Sequence, residues 1–282
     1  MSLPGYLLHE TADIAVIATV GSRNPKTADM VNIWILTRNS HPSEALRTGA
    51  DSLICGDCPL RGKWDASTGL VSGRTCYVAV WQAPSKIWRR YRKGGYPYLP
   101  LSRYPEVFCG RPVRAGAYGE PTLIPLSLLR WIAFWSDGMT GYTHAWRTCD
   151  PRFSSLFMAS VESEPQYREA KARGWRTFRV RPPRDHGPHL AREIVCPASP
   201  EGGRRVTCGE CLLCSGSTGP GDPRKDIVIN SHGAGRYNLA GYNLSGNLLT
   251  QPIRIAEGAA SERERILAGT GGALKIIGGN TL

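Results

Sequence analysis

The sequence predicts an α/β fold: a complete or partial (β/α) barrel with cysteine-rich metal loops at the C-terminal ends of its strands. Two observations predict it. Short β-branched runs alternate with helical segments, the pattern of parallel strands joined by crossovers. Polar and cysteine-bearing motifs recur directly after those runs, where α/β folds collect their functional groups. An open doubly wound sheet satisfies the same pattern.

Residues 13–20, DIAVIATV, and 29–37, DMVNIWILT, are apolar and flank GSRNPKTA, so they read as a β-hairpin with a long loop. NSHPSEALRTGA then forms a short helix, with Ser40 ahead of Pro42 at its start and Gly49 near its end. DSLICGDCPL reads as a strand breaking into a cysteine loop. RPVRAGAYGEP is a strand ending in a glycine turn. TLIPLSLLRWIAFWSDG is a largely buried helix marked by Leu126, Leu129, Ile132 and Trp135. GYTHAWR and SSLFMASVES supply two more strands. EPQYREAKARGW is a helix capped by Ser163 and closed by Gly174. RTFRVRP, REIVCPA and DIVINSHG complete the strands. Residues 1–50 thus lead as hairpin and helix into a barrel-like domain over 51–233. Residues 234–282, rich in Gly, Asn and Ser, read as a peripheral tail with a short helix around SERERILAG.

The chain has 282 residues and a formal net charge of +12, an excess that suits a polyanionic partner, a nucleic acid or a nucleotide. The densest basic stretch, KIWRRYRKGGYPYLPLSRY from Lys86, interleaves aromatics with Arg and Lys, as base-stacking surfaces do. Ile87, Trp88 and Tyr91 also fit the buried face of a helix whose arginines lie in water. No apolar run reaches 18 residues, and the start carries no basic segment ahead of its apolar residues. The expected setting is cytoplasmic, without membrane contact. In a reducing compartment clustered cysteines are metal ligands rather than disulfides.

Nine cysteines fall into two sets and two singles. Cys196, Cys208, Cys211 and Cys214 form C-x11-C-x2-C-x2-C, and Cys196 precedes Pro197. Three closely spaced thiolates with a distant fourth before Pro suit an iron–sulfur cluster, whereas structural zinc prefers two separated pairs. Cys55, Cys58 and Cys76 form C-x2-C-x17-C. Three thiolates on a 4Fe-4S cluster leave one iron open for chemistry; zinc would need a fourth ligand, with His41 the nearest candidate. CGDC and CGEC also echo each other, so Cys55, Cys58, Cys208 and Cys211 could instead share one zinc. Cys109 and Cys149 read as small buried hydrophobes.

A three-cysteine loop after an early strand, the Cys76–Tyr77 pair, and the turn GAYGEP after the next strand resemble radical S-adenosylmethionine enzymes. That resemblance implies a reactive cluster on Cys55, Cys58 and Cys76, with Tyr77 beside it. It implies that Tyr118, Gly119, Glu120 and Pro121 hold the amino group of the cofactor's methionine. The second set corresponds to the auxiliary cluster of some members. The family's usual spacing is C-x3-C-x2-C, from which this chain departs. His144, Arg147 and His232, at later strand exits, are the candidates for substrate contact or proton transfer. The runs HPSEALRTGADSLICGDCP, CYVAVWQAP, GWRTFRVR and TCGECLLCSG also resemble an uncharacterised family of phage-encoded proteins, which implies a setting in nucleic-acid metabolism. Two non-catalytic readings stand beside the enzyme: a zinc-stabilised nucleic-acid-binding protein, and a host-directed phage effector with structural cysteine sites.

Overall fold

The computed structural model describes residues 4–239, apart from positions 28, 66, 69, 186, 220, 234, 237 and 238. Residues 1–250 form one compact unit; the second, 251–282, lies outside the described residues, as does most of the expected tail with its SERERILAG helix.

The chain opens with β1 (Gly5–Glu10), β2 (Ile14–Val20) and β3 (Val31–Thr37), which pair antiparallel in order. The β2–β3 hairpin is as expected; β1, with its mixed LLHE pattern, is an additional edge strand. Helices α1 (Pro42–Thr48) and α2 (Ser52–Cys55) come next, then a small hairpin of β4 (Lys63–Asp65) and β5 (Leu70–Ser72). The SLIC segment is therefore a helical turn, not the expected strand. Helices α3 (Ala83–Arg92) and α4 (Tyr104–Phe108) lead to β6 (Val113–Tyr118), which lies parallel to β3. The strands of the 1–50 segment thus share one sheet with β6 instead of standing apart from the α/β domain.

Helix α5 (Leu126–Trp135) returns the chain to β7 (Met139–Thr140) and, one residue later, β8 (Tyr142–Thr143). Then come β9 (Met158–Val161), α6 (Glu164–Ala172), β10 (Thr177–Arg181), β11 (Glu193–Val195), α7 (Cys208–Cys211) and β12 (Asp226–Asn230). One sheet has the order β1-β2-β3-β6-β7 and the other β11-β12-β10-β9-β8. Beyond the β1–β2–β3 pairings, every pairing in these two sheets is parallel.

Gly141 is the seam. β7 pairs with β6 and β8 pairs with β9, so a single stretch of chain borders both sheets. A Cβ at Gly141 would sit 2.8 Å from the Phe157 ring and 3.2 Å from the Ala115 carbonyl oxygen, which is why glycine occupies the crossing. Thr140, Tyr142 and His144 continue the strand alternation through the seam, and all three line one cavity. Among the described residues β1 and β11 end the order of neighbours without pairing to each other, so no barrel closes.

Packing fixes this arrangement. All seven residues of β3 are buried, with Ile33 and Ile35 in the main apolar core beside Leu129 and Ile132 of α5. Helix α5 is amphipathic rather than largely buried, with Trp131 and Phe134 exposed. Helix α6 is capped as the sequence implies, Ser163 Oγ accepting from the Gln166 N–H. In α3, Ile87 is buried, while Trp88 and Tyr91 pack on the core. Trp88 donates to the Thr37 carbonyl and the Tyr91 hydroxyl reaches Glu10. These aromatics hold the helix to the sheets instead of offering a stacking face.

Candidate metal and cofactor site

A cavity of about 1400 Å³ is lined by all seven cysteines of the two sets. Its walls carry alternate residues of the parallel strands, among them Asn32 and Trp34 of β3, Arg114 and Tyr118 of β6, and Phe178 of β10. Two of the polar ones are tied down: Trp34 donates to Thr19 Oγ1 at 3.0 Å and Asn32 to the Met30 carbonyl at 3.0 Å.

The first cysteine set sits beyond β3. The Cys58 N–H donates to the Cys55 carbonyl, and buried Asp51 pairs with Arg61 at 2.7 Å to brace the loop. The 17 residues between Cys58 and Cys76 are folded out of the way by the β4–β5 hairpin. That hairpin returns the chain so that the Cys76 N–H donates to the Leu60 carbonyl at 2.8 Å, two residues from Cys58. The hairpin thus returns Cys76 to the cavity lined by Cys55 and Cys58 despite the long interval in sequence.

The Gly-Glu-Pro turn after β6 is hydrogen-bonded to this loop, the Glu120 N–H donating to the Ile54 carbonyl at 2.6 Å. Gly119 has φ +84°, and a Cβ there would lie 2.7 Å from Ile35 Cβ. Only glycine meets both demands. Glu120 Oε1 accepts from the Thr122 N–H and hydroxyl, and Oε2 from the His144 N–H at 3.2 Å. His144 Nδ1 lies 3.3 Å from Cys58 Sγ and Nε2 lies 2.7 Å from Glu162 Oε1. Cys58, Glu120, His144 and Glu162 therefore form one linked group drawn from the turn after α2 and the exits of β6, β8 and β9. Glu162 belongs to no motif in the sequence; its only signal is an acid placed directly after the β9 run.

The second set surrounds the other end. Cys196 follows β11 and donates its N–H to the Val228 carbonyl. Helix α7, which holds Cys208 and Cys211, starts on a Thr207–Glu210 capping box and ends at Leu212 in the left-handed region, φ 48°. The Cys214 carbonyl accepts from the Gly141 N–H at the seam. Buried Arg176 clamps the same loop, donating to the carbonyls of Leu213, Ser215 and Lys225.

Electrostatics divide the thiols in the same way. Burial, then Cys58, Cys76 and Asp51, push the Cys55 thiol far above its usual range. Burial, then Cys196, Cys208 and Cys211, do the same to Cys214. Burial alone would lower the His144 pKa, but Cys58 and Glu162 hold it well above the usual value. Thiols that repel one another when ionised in a low-dielectric cavity fit a cationic centre, which reverses the penalty. Among the described residues no three His, Cys, Asp or Glu side chains gather around a single-ion position. The cavity lining thus holds two groups of thiols, Cys55, Cys58 and Cys76 at one end and Cys196, Cys208, Cys211 and Cys214 at the other.

The remaining candidates divide. Tyr77, Tyr118, Gly119, Glu120, His144 and His232 line the cavity. Pro121 is buried behind the turn and outside the lining. Arg147 does not belong to the site: it binds Glu169 through two nitrogens and lies 3.9 Å over the Trp146 ring at the surface. His41 is the N-cap of α1, with Nδ1 accepting from the Ser43 N–H, and so takes the place expected of Ser40. Cys109 is exposed, not a buried hydrophobe, while Cys149 packs on the core. No family model matches the chain, and no curated protein or solved structure matches it. Among the described residues no helix is long and apolar enough to cross a membrane.

Proposed function

We propose that the protein is an iron–sulfur enzyme of the radical S-adenosylmethionine kind, built on an open, partial (β/α) barrel and acting on a nucleotide or nucleic-acid substrate. The observation that carries this reading is the join between neighbouring strands. Cys55, Cys58 and Cys76 stand beyond β3, and the Gly-Glu-Pro turn of the adjacent β6 is hydrogen-bonded directly to their loop. Cys55, Cys58 and Cys76 would hold a cluster with one open iron, and Glu120 with the turn's backbone would hold the cofactor's amino group. When bound, the cluster supplies the electron that splits S-adenosylmethionine and leaves a carbon-centred radical. The chain's own part is to position and enclose: Gly119 lets the turn approach β3, Tyr118 closes the wall beneath it, and His144 links Glu120 to Cys58. The Cys196 set would hold its cluster with four thiolates and so serve structure or electron transfer. The resemblance to phage-encoded proteins supports the substrate class.

The test is anaerobic reconstitution of the full chain with iron and sulfide. The expected result is a brown protein that releases methionine from S-adenosylmethionine on reduction with dithionite, and a Cys58→Ser variant that does not. A colourless protein that retains zinc and takes up no iron would overturn the proposal.

A second reading has its own observation. The Cys58–His144–Glu162 chain has the order of a thiol nucleophile, its base and an orienting acid. In that case iodoacetamide modifies Cys58 as fast after iron reconstitution as before. Protection by iron favours the cluster.

A further inference from the structure

One cation facing the cavity lies beside the second cysteine set, near enough to interact with Cys208 and Cys214. Arg114 projects from β6 into the space between the two sets. Its Nη2 donates to the Tyr142 hydroxyl at 2.8 Å and to the Tyr77 hydroxyl, and its guanidinium lies 5.4 Å from the Tyr142 ring centroid. Both partners are tyrosine hydroxyls. Nε and Nη1 have no hydrogen-bond partner among the described residues, and no carboxylate pairs with Arg114 there. Arg114 is half-buried with no carboxylate partner there, and its planar donor fork matches phosphate oxygens.

The rest of the lining points the same way. Lys26 and Arg204 on one wall and Lys86 of α3 on another also reach the cavity, and neither they nor Arg114 form an ion pair among the described residues. Among the described residues Glu120 is the only lining carboxylate, and it is engaged by Thr122 and His144. S-adenosylmethionine has one carboxylate against a sulfonium and an ammonium, so it can pair with one of these cations and leaves the others unmatched. Against one engaged carboxylate, these lining cations leave an excess of positive charge that suits an anionic occupant. Cations on separate walls suit a polyvalent phosphate better than one carboxylate.

We propose that this cavity holds a phosphorylated small-molecule substrate, whose phosphoryl oxygens are bound by the free edge of Arg114 and met at the cavity rim by Lys86 and Arg204. The proposal rests on the enzyme reading for the chemistry, but not for the binding. Tyr77 and Tyr142 hold the guanidinium in place, and the apolar face offered by Phe178, stacked on Tyr142 at 4.2 Å, remains for the organic part of the ligand.

Calorimetric titration of the reconstituted full chain with inorganic triphosphate, deoxyadenosine monophosphate and deoxyadenosine tests this. Both phosphates are expected to bind, and the nucleoside at least tenfold more weakly. Arg114→Met and, at the rim where folding is not at stake, Arg204→Ala should each weaken phosphate binding about tenfold, whereas Arg152→Ala on the distant surface should not. Binding in protein that fails to cleave S-adenosylmethionine would sustain this inference while sinking the radical reading. Equal binding of nucleoside and nucleotide would overturn it, as would wild-type affinity in both cavity variants. So would an Arg114→Met protein that loses iron from the Cys196 set but binds phosphate normally, because Arg114 would then serve only that centre.

Discussion

Glu193→Ala is predicted to unfasten the half of the molecule that carries the second cysteine set. Glu193 begins β11 with a side chain sealed from solvent, and Arg179 of β10 is 10% exposed. The two meet in a bidentate pair, Nε to Oε1 and Nη2 to Oε2, both at 2.6 Å. β12 runs between their strands, so the pair spans it on the side away from the cavity. Glu193 Oε2 also accepts from the Leu190 N–H at 2.9 Å. Removing the carboxylate leaves a buried guanidinium, a loss of about 3–5 kcal/mol, and the stranded Leu190 N–H adds about 1 kcal/mol. Against a total stability of about 5–15 kcal/mol, this is a large fraction. In urea, followed by tryptophan fluorescence, the midpoint should fall by about 1.3–3 M for an m-value near 2–3 kcal/mol/M. The double variant Arg179→Met/Glu193→Leu should recover most of the loss, since two apolar residues leave no unpaired charge. A loss below about 1 kcal/mol in Glu193→Ala would refute the reasoning, because that is how a solvated surface pair behaves. A double variant as unstable as the single would refute it too.

The site itself sets three more expected outcomes. Gly119→Ala should lower the thermal midpoint and weaken S-adenosylmethionine binding at least tenfold in equilibrium dialysis, since the new methyl meets Ile35 at 2.7 Å and the backbone has φ +84°. Arg176→Met removes the clamp on the Cys214 loop; iron analysis should show loss from the second set alone, with destabilisation of about 3 kcal/mol or more as three carbonyls lose a charged donor. Asp222 is held well below the usual carboxylate range by Arg224 and by the Thr218 and Arg224 N–H groups. A depressed folded pKa stabilises fully above the unfolded value of about 3.9 and is lost as pH falls toward the folded one. The thermal midpoint of Asp222→Asn should therefore fall less than that of the wild type between pH 5 and pH 3.

The strands are legible in the sequence because their residues are committed to one role. DIAVIATV and DMVNIWILT are β-branched runs buried on both faces, and no competing local signal disturbs them. The α6 helix is legible through its Ser163 cap and Gly174. The SLIC segment misleads because its apolar Leu-Ile-Cys run reads as strand, whereas the short turn from Gly49 and the Asp51 carbonyl bonds wind it into helix. Both cysteine sets are visible as spacing, but the C-x2-C-x17-C interval makes sense only with the β4–β5 hairpin that brings Cys76 back to Leu60. Arg147 and Glu162 show the limit most clearly. Both lie just past strands, yet one turns outward to Glu169 and the other inward to His144, and nothing local in the sequence distinguishes them. The seam at Gly141 is hidden for the same reason: its need for glycine comes from Phe157 and Ala115, contacts made by other elements.

Electron paramagnetic resonance of the anaerobically reconstituted, dithionite-reduced full chain, with and without S-adenosylmethionine, tests the central claim most directly. Two cluster signals are expected in the wild type, of which S-adenosylmethionine shifts only one, because only the Cys55–Cys58–Cys76 centre has an iron free to meet it. Cys58→Ser should lose that signal and keep the other, unmoved by the cofactor. A wild-type spectrum unchanged by S-adenosylmethionine, or a single signal that disappears equally in Cys58→Ser and Cys211→Ser, would contradict the claim and make the two cysteine sets one shared site.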